Sequence, residues 1–213
     1  RTINVTADVD PSISNANEVN ADVLSKVMPE ILDKYRSVSY SVEGEQKEQQ
    51  EALAGLFDGF ILALLIIYIL LAIPFRSYTQ PLIVMSAIPF GIVGAFGGHL
   101  IMDVELTFLS FFGIVALTGV VVNDSLVMVD FVNRARSSGL QLAEAIREAG
   151  VARFRPIILT SLTTFLGLTP LLLEESVQAQ FLIPMAVSLG FGVMFATVIT
   201  LVLVPVMYYI LED

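Results

Sequence analysis

The chain has 213 residues, of which 55% are hydrophobic and 15% charged, with a formal net charge of −10. A soluble domain of this length covers its surface with about a quarter charged residues, so the deficit points to lipid as the solvent, and the acidic balance excludes a nucleic-acid partner, which needs a basic face. Cysteine is absent, which excludes disulfides and thiolate chemistry.

Charge is unevenly distributed. Residues 1–52 carry ten acids against five bases, whereas residues 53–213 carry eleven acids and six arginines, set mostly between apolar runs. This divides the chain into a soluble acidic segment, 1–52, and a membrane domain, 53–213. Within the first segment, residues 2–9 alternate as a strand with Ile3, Val5, Ala7 and Val9 on one side. Asp10-Pro11-Ser12 turns the chain. Residues 17–35 carry an apolar stripe at helical spacing (Val19, Val23, Val27, Ile31 and Leu32), with Pro29 expected to kink or restart the helix. Residues 37–42 alternate again, and residues 45–53 form a polar helix leading into the membrane. The expectation is a small α+β piece of β-α-β type, whose two strands need partners from a preceding part of a longer protein. The chain opens at Arg1, with no signal peptide, and reads as cut upstream.

A bilayer core of about 30 Å needs about 20 apolar helical residues. Five runs meet this, at about 56–75, 81–102, 106–133, 156–173 and 181–211. The loops between them alternate in sign. Arg76 follows the first span; Asp103 and Glu105 follow the second; Arg134, Arg136, Arg147, Arg153 and Arg155 follow the third; Glu174 and Glu175 follow the fourth. Basic loops stay in the cytoplasm, which places residues 1–52 outside and the C-terminus inside. Residues 139–150 form an amphipathic helix with Leu142, Ala143, Ile146 and Ala149 on one face. It either lies along the membrane surface or serves as a connecting helix.

Polar residues inside the spans carry the functional argument. Gly94 and Gly98 form a GxxxG on the second span, which suits close helix packing. His99, the sole histidine, sits near the outer end of that span. Asp124 lies ten residues before Arg134, or about 15 Å along the helix, at the bilayer midplane. An acid there costs about 2.5–3.5 kcal/mol on insertion scales. It belongs either to an ion or proton path or to a structural hydrogen bond with a neighbouring helix. Asp130 lies nearer the cytoplasmic end, where water can solvate it. Thr160, Ser161, Thr163 and Thr164 follow Arg153 and Arg155 on the fourth span, with Thr160 and Thr164 on one face. Such hydroxyls can bond their own helix carbonyls or extend a polar relay from Asp124. No Walker A run, HExxH or GxSxG is present, so the chain reads as a carrier rather than an enzyme, with no cofactor and no bound metal expected.

The runs GVVVNDSLVMVDFVNRAR (119–136) and RFRPIILTSLTTFLGLTPLLL (153–173), with VTADVD (5–10) and YSVEGEQKEQQEAL (40–53) before them, resemble the resistance–nodulation–division (RND) efflux permeases over the whole chain. The resemblance implies the last five helices of a twelve-helix permease and the end of its periplasmic porter region. It further implies a homotrimer in the bacterial inner membrane, driven by protons and working with a periplasmic adaptor and an outer-membrane channel. The family relay uses an Asp pair on the fourth helix, a Lys on the tenth and a Thr on the eleventh. The Thr position matches Thr160, Arg153 matches a family Arg at the foot of the eleventh helix, and the Lys position falls on Asn123, a departure from the best-known drug pumps. The resulting expectation is a relay of Asp124, Asn123 and Thr160, supported by Asp130, Arg153 and Thr164. The expected activity is export of small amphiphilic compounds, as in a multidrug pump, because a metal pump would want clustered Met or His in the outer segment and only Met28 is there. The alternatives are a lipid or metal exporter of the same superfamily, a protein-export accessory, or a non-transporting membrane sensor or scaffold.

Overall fold

A computed structural model describes residues 3, 5–7, 16–35, 37, 39, 40 and 45–212. The chain forms two compact units, Arg1–Leu56 and Phe57–Asp213.

In the first unit, helix α1 (Ala16–Asp22) runs through a single π turn (Val23–Val27) into α2 (Met28–Lys34). Pro29 has no N–H to give the carbonyl one turn earlier, so the helix widens just before it and restarts with Pro29 in its first turn. The stripe residues Val19, Val23, Val27 and Ile31 are all more than a third exposed. The expected α+β character is overturned: no strand occurs among the described residues. Of the run 2–9, Ile3 and Val5–Ala7 are described and are not strand; of the run 37–42, Ser37, Ser39 and Tyr40 are described and are not strand. The other residues of both runs, and the expected turn at 10–12, lie outside the described residues. Alternation assigns side chains to faces, but a strand forms only when a neighbour accepts its backbone N–H groups, and the described residues supply no such neighbour.

Five helices are long and apolar enough to cross a membrane. Helix α3 (Glu45–Phe75) carries the polar residues 45–53 and the first span in one helix and ends at Arg76, whose φ of 51° is left-handed. The second span is broken: α4 (Gln80–Met85) and α5 (Ile88–Met102) meet just before Pro89, which cannot donate into the preceding turn. Helix α6 (Phe108–Ser137) starts where the Thr107 N–H donates to Ser110 Oγ at 3.0 Å. Helix α7 (Leu142–Leu172) joins the expected amphipathic helix and the fourth span without interruption through Pro156. A short α8 (Val177–Gln180) precedes α9 (Ile183–Glu212).

The second unit is organised around α9, which packs against α5, α6 and α7. Glycine makes the closest of these approaches possible. A Cβ at Gly94 would come under 3.0 Å from Phe195, one at Gly98 equally close to Phe191, and one at Gly192 equally close to Leu117. The amphipathic stretch at the start of α7 does not lie free on a membrane surface. Ala145 and Ala149 are fully buried in a cluster with Met128, Val132 and Ala135 of α6, while Ala143, expected on the apolar face, is exposed.

Candidate functional site: a buried carboxylate in α6

Every third or fourth residue of α6 is buried, from Ser110 through Leu117, Val121, Ser125 and Met128 to Val132. Asp124 falls on this face. It is 7% exposed, near the middle of an apolar helix, and forms no hydrogen bond or ion pair among the described residues. Its neighbour Ser125 is fully buried, and Ser125 Oγ also lacks a partner among them. Asn123 points away from this face and is exposed.

The register of the helices shows what lies level with Asp124. Asn133 and Tyr208 are hydrogen-bonded, and Gly113 faces Ser188 while Leu117 faces Gly192; each pair is 75 positions apart. Helices α6 and α9 therefore run parallel, with Thr200 at the height of Ser125. Thr200 is 1% exposed. One turn above it, Thr197 hydrogen-bonds Ser161 of α7, and both hydroxyls are buried. Asp124, Ser125, Ser161, Thr197 and Thr200 thus form a buried polar layer across three helices at mid-span.

Thr160 and Thr164, named from the sequence, bond within their own helix. Thr160 is exposed and donates to Pro156 O at 2.9 Å, and Thr164 donates to Thr160 O at 2.9 Å, so both hydroxyls are satisfied by their own helix. The inward hydroxyl is Ser161, one position from Thr160. Asp130 pairs with Arg134 at 2.7 Å, one turn on along α6. Arg153 lies with its guanidinium 5.2 Å from the Phe131 ring centre. The structure therefore does not bring Asn123, Thr160 or Arg153 into contact with Asp124 among the described residues.

Two further polar sites lie toward the ends of the helices. His99 is 4% exposed. Its Nδ1 lies 2.9 Å from Val104 O, which can only accept, so Nδ1 carries the proton and Nε2 accepts from Ser188 Oγ at 2.9 Å. The ring ties the end of α5 to α9. At the opposite end, Gln80 and Asn133 exchange amide hydrogen bonds of 3.2 and 2.7 Å, Tyr208 donates to Asn133 at 2.6 Å, and Glu212 accepts from both Gln80 and Arg136. Among the described residues there is no group of three or more acids or histidines placed to hold a metal.

A helical unit of this kind, with one unpaired acid at mid-span, has a match in a known family. The sequence profile of the AcrB/AcrD/AcrF family matches residues 1–212. The chain belongs to that family. Among solved structures it is similar to a heavy metal efflux pump, determined in two crystal forms. Crystal form II gives 26% identity and a TM-score of 0.74 over 92% of this chain. Crystal form I gives 27% identity and 0.71 over 89%. The chain spans 19% and 20% of the length of those two structures. Family membership makes it a segment of an RND-type permease.

Proposed function

We propose that this chain is part of an ion-coupled RND exporter whose cargo is a heavy metal cation, with Asp124 carrying the coupling proton. The buried, unpaired Asp124 supports the coupling role. A carboxylate held away from water at mid-span, with no cation beside it among the described residues, can take up and give back a proton as its surroundings change. One proton re-entering across 100 mV releases about 2.3 kcal/mol. The reading replaces the expected amphiphile with a metal because a heavy metal efflux pump is similar to this chain at 26% and 27% identity in its two crystal forms. The scarcity of Met and His in residues 1–52 does not weigh against it, since cargo ligands can lie elsewhere in a protein of the relatives' length. On this reading residues 1–52 are periplasmic, the arginine-rich loops are cytoplasmic, and the permease acts as a trimer with an adaptor and an outer-membrane channel.

Of the residues named from the sequence, Asp124 keeps its role in this proposal. Ser161 and Thr197 take the place of Thr160 as the hydroxyls facing the same layer, and Asn123, Asp130 and Thr164 lie outside it. The test uses the full-length protein in proteoliposomes that enclose a pH-sensitive dye. Addition of a soft or borderline metal ion drives proton movement in the wild type, and Asp124→Asn reduces it to the protein-free leak. Ser161→Ala slows it several-fold. Wild-type coupling in Asp124→Asn removes the proton role, and proton movement that answers amphiphilic dyes but not metals returns the cargo to the drug class.

A further inference from the structure

Helices α6 and α7 leave a cavity of about 330 Å³ at the arginine-rich end, lined by Phe131, Arg134, Leu140, Glu148 and Arg153 among others. We propose that this cavity binds the phosphate of an acidic lipid headgroup, with Arg153 as its main ligand and Arg134 as the second.

Arg153 is held in place from one side. Its guanidinium lies over the Phe131 ring, 5.2 Å from the centre, a contact that leaves its N–H groups to find an acceptor elsewhere. That acceptor is missing: Arg153 Nε is buried with no hydrogen-bond partner, and the side chain makes no ion pair among the described residues. A buried donor on a charged group is costly to leave unmade, and the guanidinium fork fits an oxyanion. Arg134 is free to turn inward. Its pairing with Asp130 is a surface contact on one helix, with the Arg134 side chain 79% exposed, and such pairs hold weakly.

The height of the cavity selects the source of the anion. The apolar run of α7 begins at Pro156, just beyond Arg153, and that of α6 ends at Asn133, just before Arg134. The two arginines therefore sit where the hydrocarbon core gives way to headgroups, and basic pockets between transmembrane helices at this level take acidic headgroups. Leu140 offers an apolar wall beside the charge. Glu148 lines the cavity without an ion pair to either arginine among the described residues, and it sets a sign: an anion in the cavity is repelled by it.

The experiment is native mass spectrometry of the full-length protein with phosphatidylglycerol or phosphatidylcholine of the same acyl chains, repeated with millimolar inorganic phosphate. Phosphatidylglycerol is retained over phosphatidylcholine. Arg153→Gln weakens that retention about tenfold, in line with the loss of a charge-assisted hydrogen bond. Glu148→Gln strengthens it, and Arg155→Gln, an exposed arginine outside the cavity, leaves it unchanged. Glu148→Gln decides the matter should Arg153→Gln not fold. Equal retention of the two lipids overturns the proposal, as does displacement by inorganic phosphate, which marks a soluble anion. An unchanged lipid preference in Arg153→Gln also overturns it and indicates a protein carboxylate on the arginine. None of these outcomes depends on metal transport.

Discussion

Gly98 shows how little room a membrane core leaves at one residue. A Cβ there would run into the Phe191 side chain across the α5–α9 contact, and Phe191 is itself fixed edge-on against Phe165 at 5.3 Å. The aromatic ring cannot yield without disturbing a third helix. Gly98→Val is expected to cost about 1–3 kcal/mol, the usual penalty of overpacking, read as a lower melting temperature in detergent. Gly97 has open space around its Cβ position, so Gly97→Ala is expected to leave the melting temperature unchanged. Equal losses at the two positions would refute the contact. The sequence placed a GxxxG at this site but could not choose its partner, because a small-residue motif states that something comes close and not what. The same limit applied to Asp124. Its depth followed from counting residues to Arg134, but its surroundings depended on which neighbouring faces turn inward. One position on α7 separates Ser161, in the layer, from Thr160, outside it.

The helices themselves were legible because lipid imposes a length and an apolarity that a count reveals. Their joints were less so. The start of α7 reads as amphipathic, and an amphipathic helix suits a membrane surface and a protein groove equally well. The structure separates them: Ala145 and Ala149 are buried against α6, while Ala143 is exposed. Ala149→Glu is therefore expected to destabilise the protein by several kcal/mol, as an unpaired buried charge does. Ala143→Glu is expected to be neutral within about 0.5 kcal/mol. A helix resting on lipid through Ala143 would reverse that order in the same denaturation measurement. The strands expected in residues 1–52 failed for a related reason. Alternation is a property of one segment, whereas a strand is a property of two, and the described residues of those runs have no ladder neighbour.

At the scale of the whole second unit, the fold is closed at its arginine-rich end by polar side chains rather than by loops. Gln80 begins α4, Asn133 and Arg136 end α6, and Tyr208 and Glu212 end α9, so the five join three helix ends that the chain brings together from 132 residues apart. Tyr208 is 1% exposed and Gln80 6%, so these bonds are made out of water, where leaving one unmade is expensive. Hydrogen bonds between membrane helices are nonetheless worth about 0.6 kcal/mol on average and about 1.7 at most, because separated helices find other partners. The network departs from an isolated pair in that Asn133 serves Gln80 and Tyr208 at once, so its two bonds orient each other. A double-mutant cycle of Asn133→Ala and Tyr208→Phe in the full-length protein is expected to show a coupling of about 1 kcal/mol, measured by unfolding in mixed micelles. Gln80→Ala added to the pair is expected to cost less than it does alone, since its Asn133 partner is already gone and only Glu212 remains. Additive losses across all three positions would mean that each side chain finds its own replacement and that the helix ends are held by packing alone.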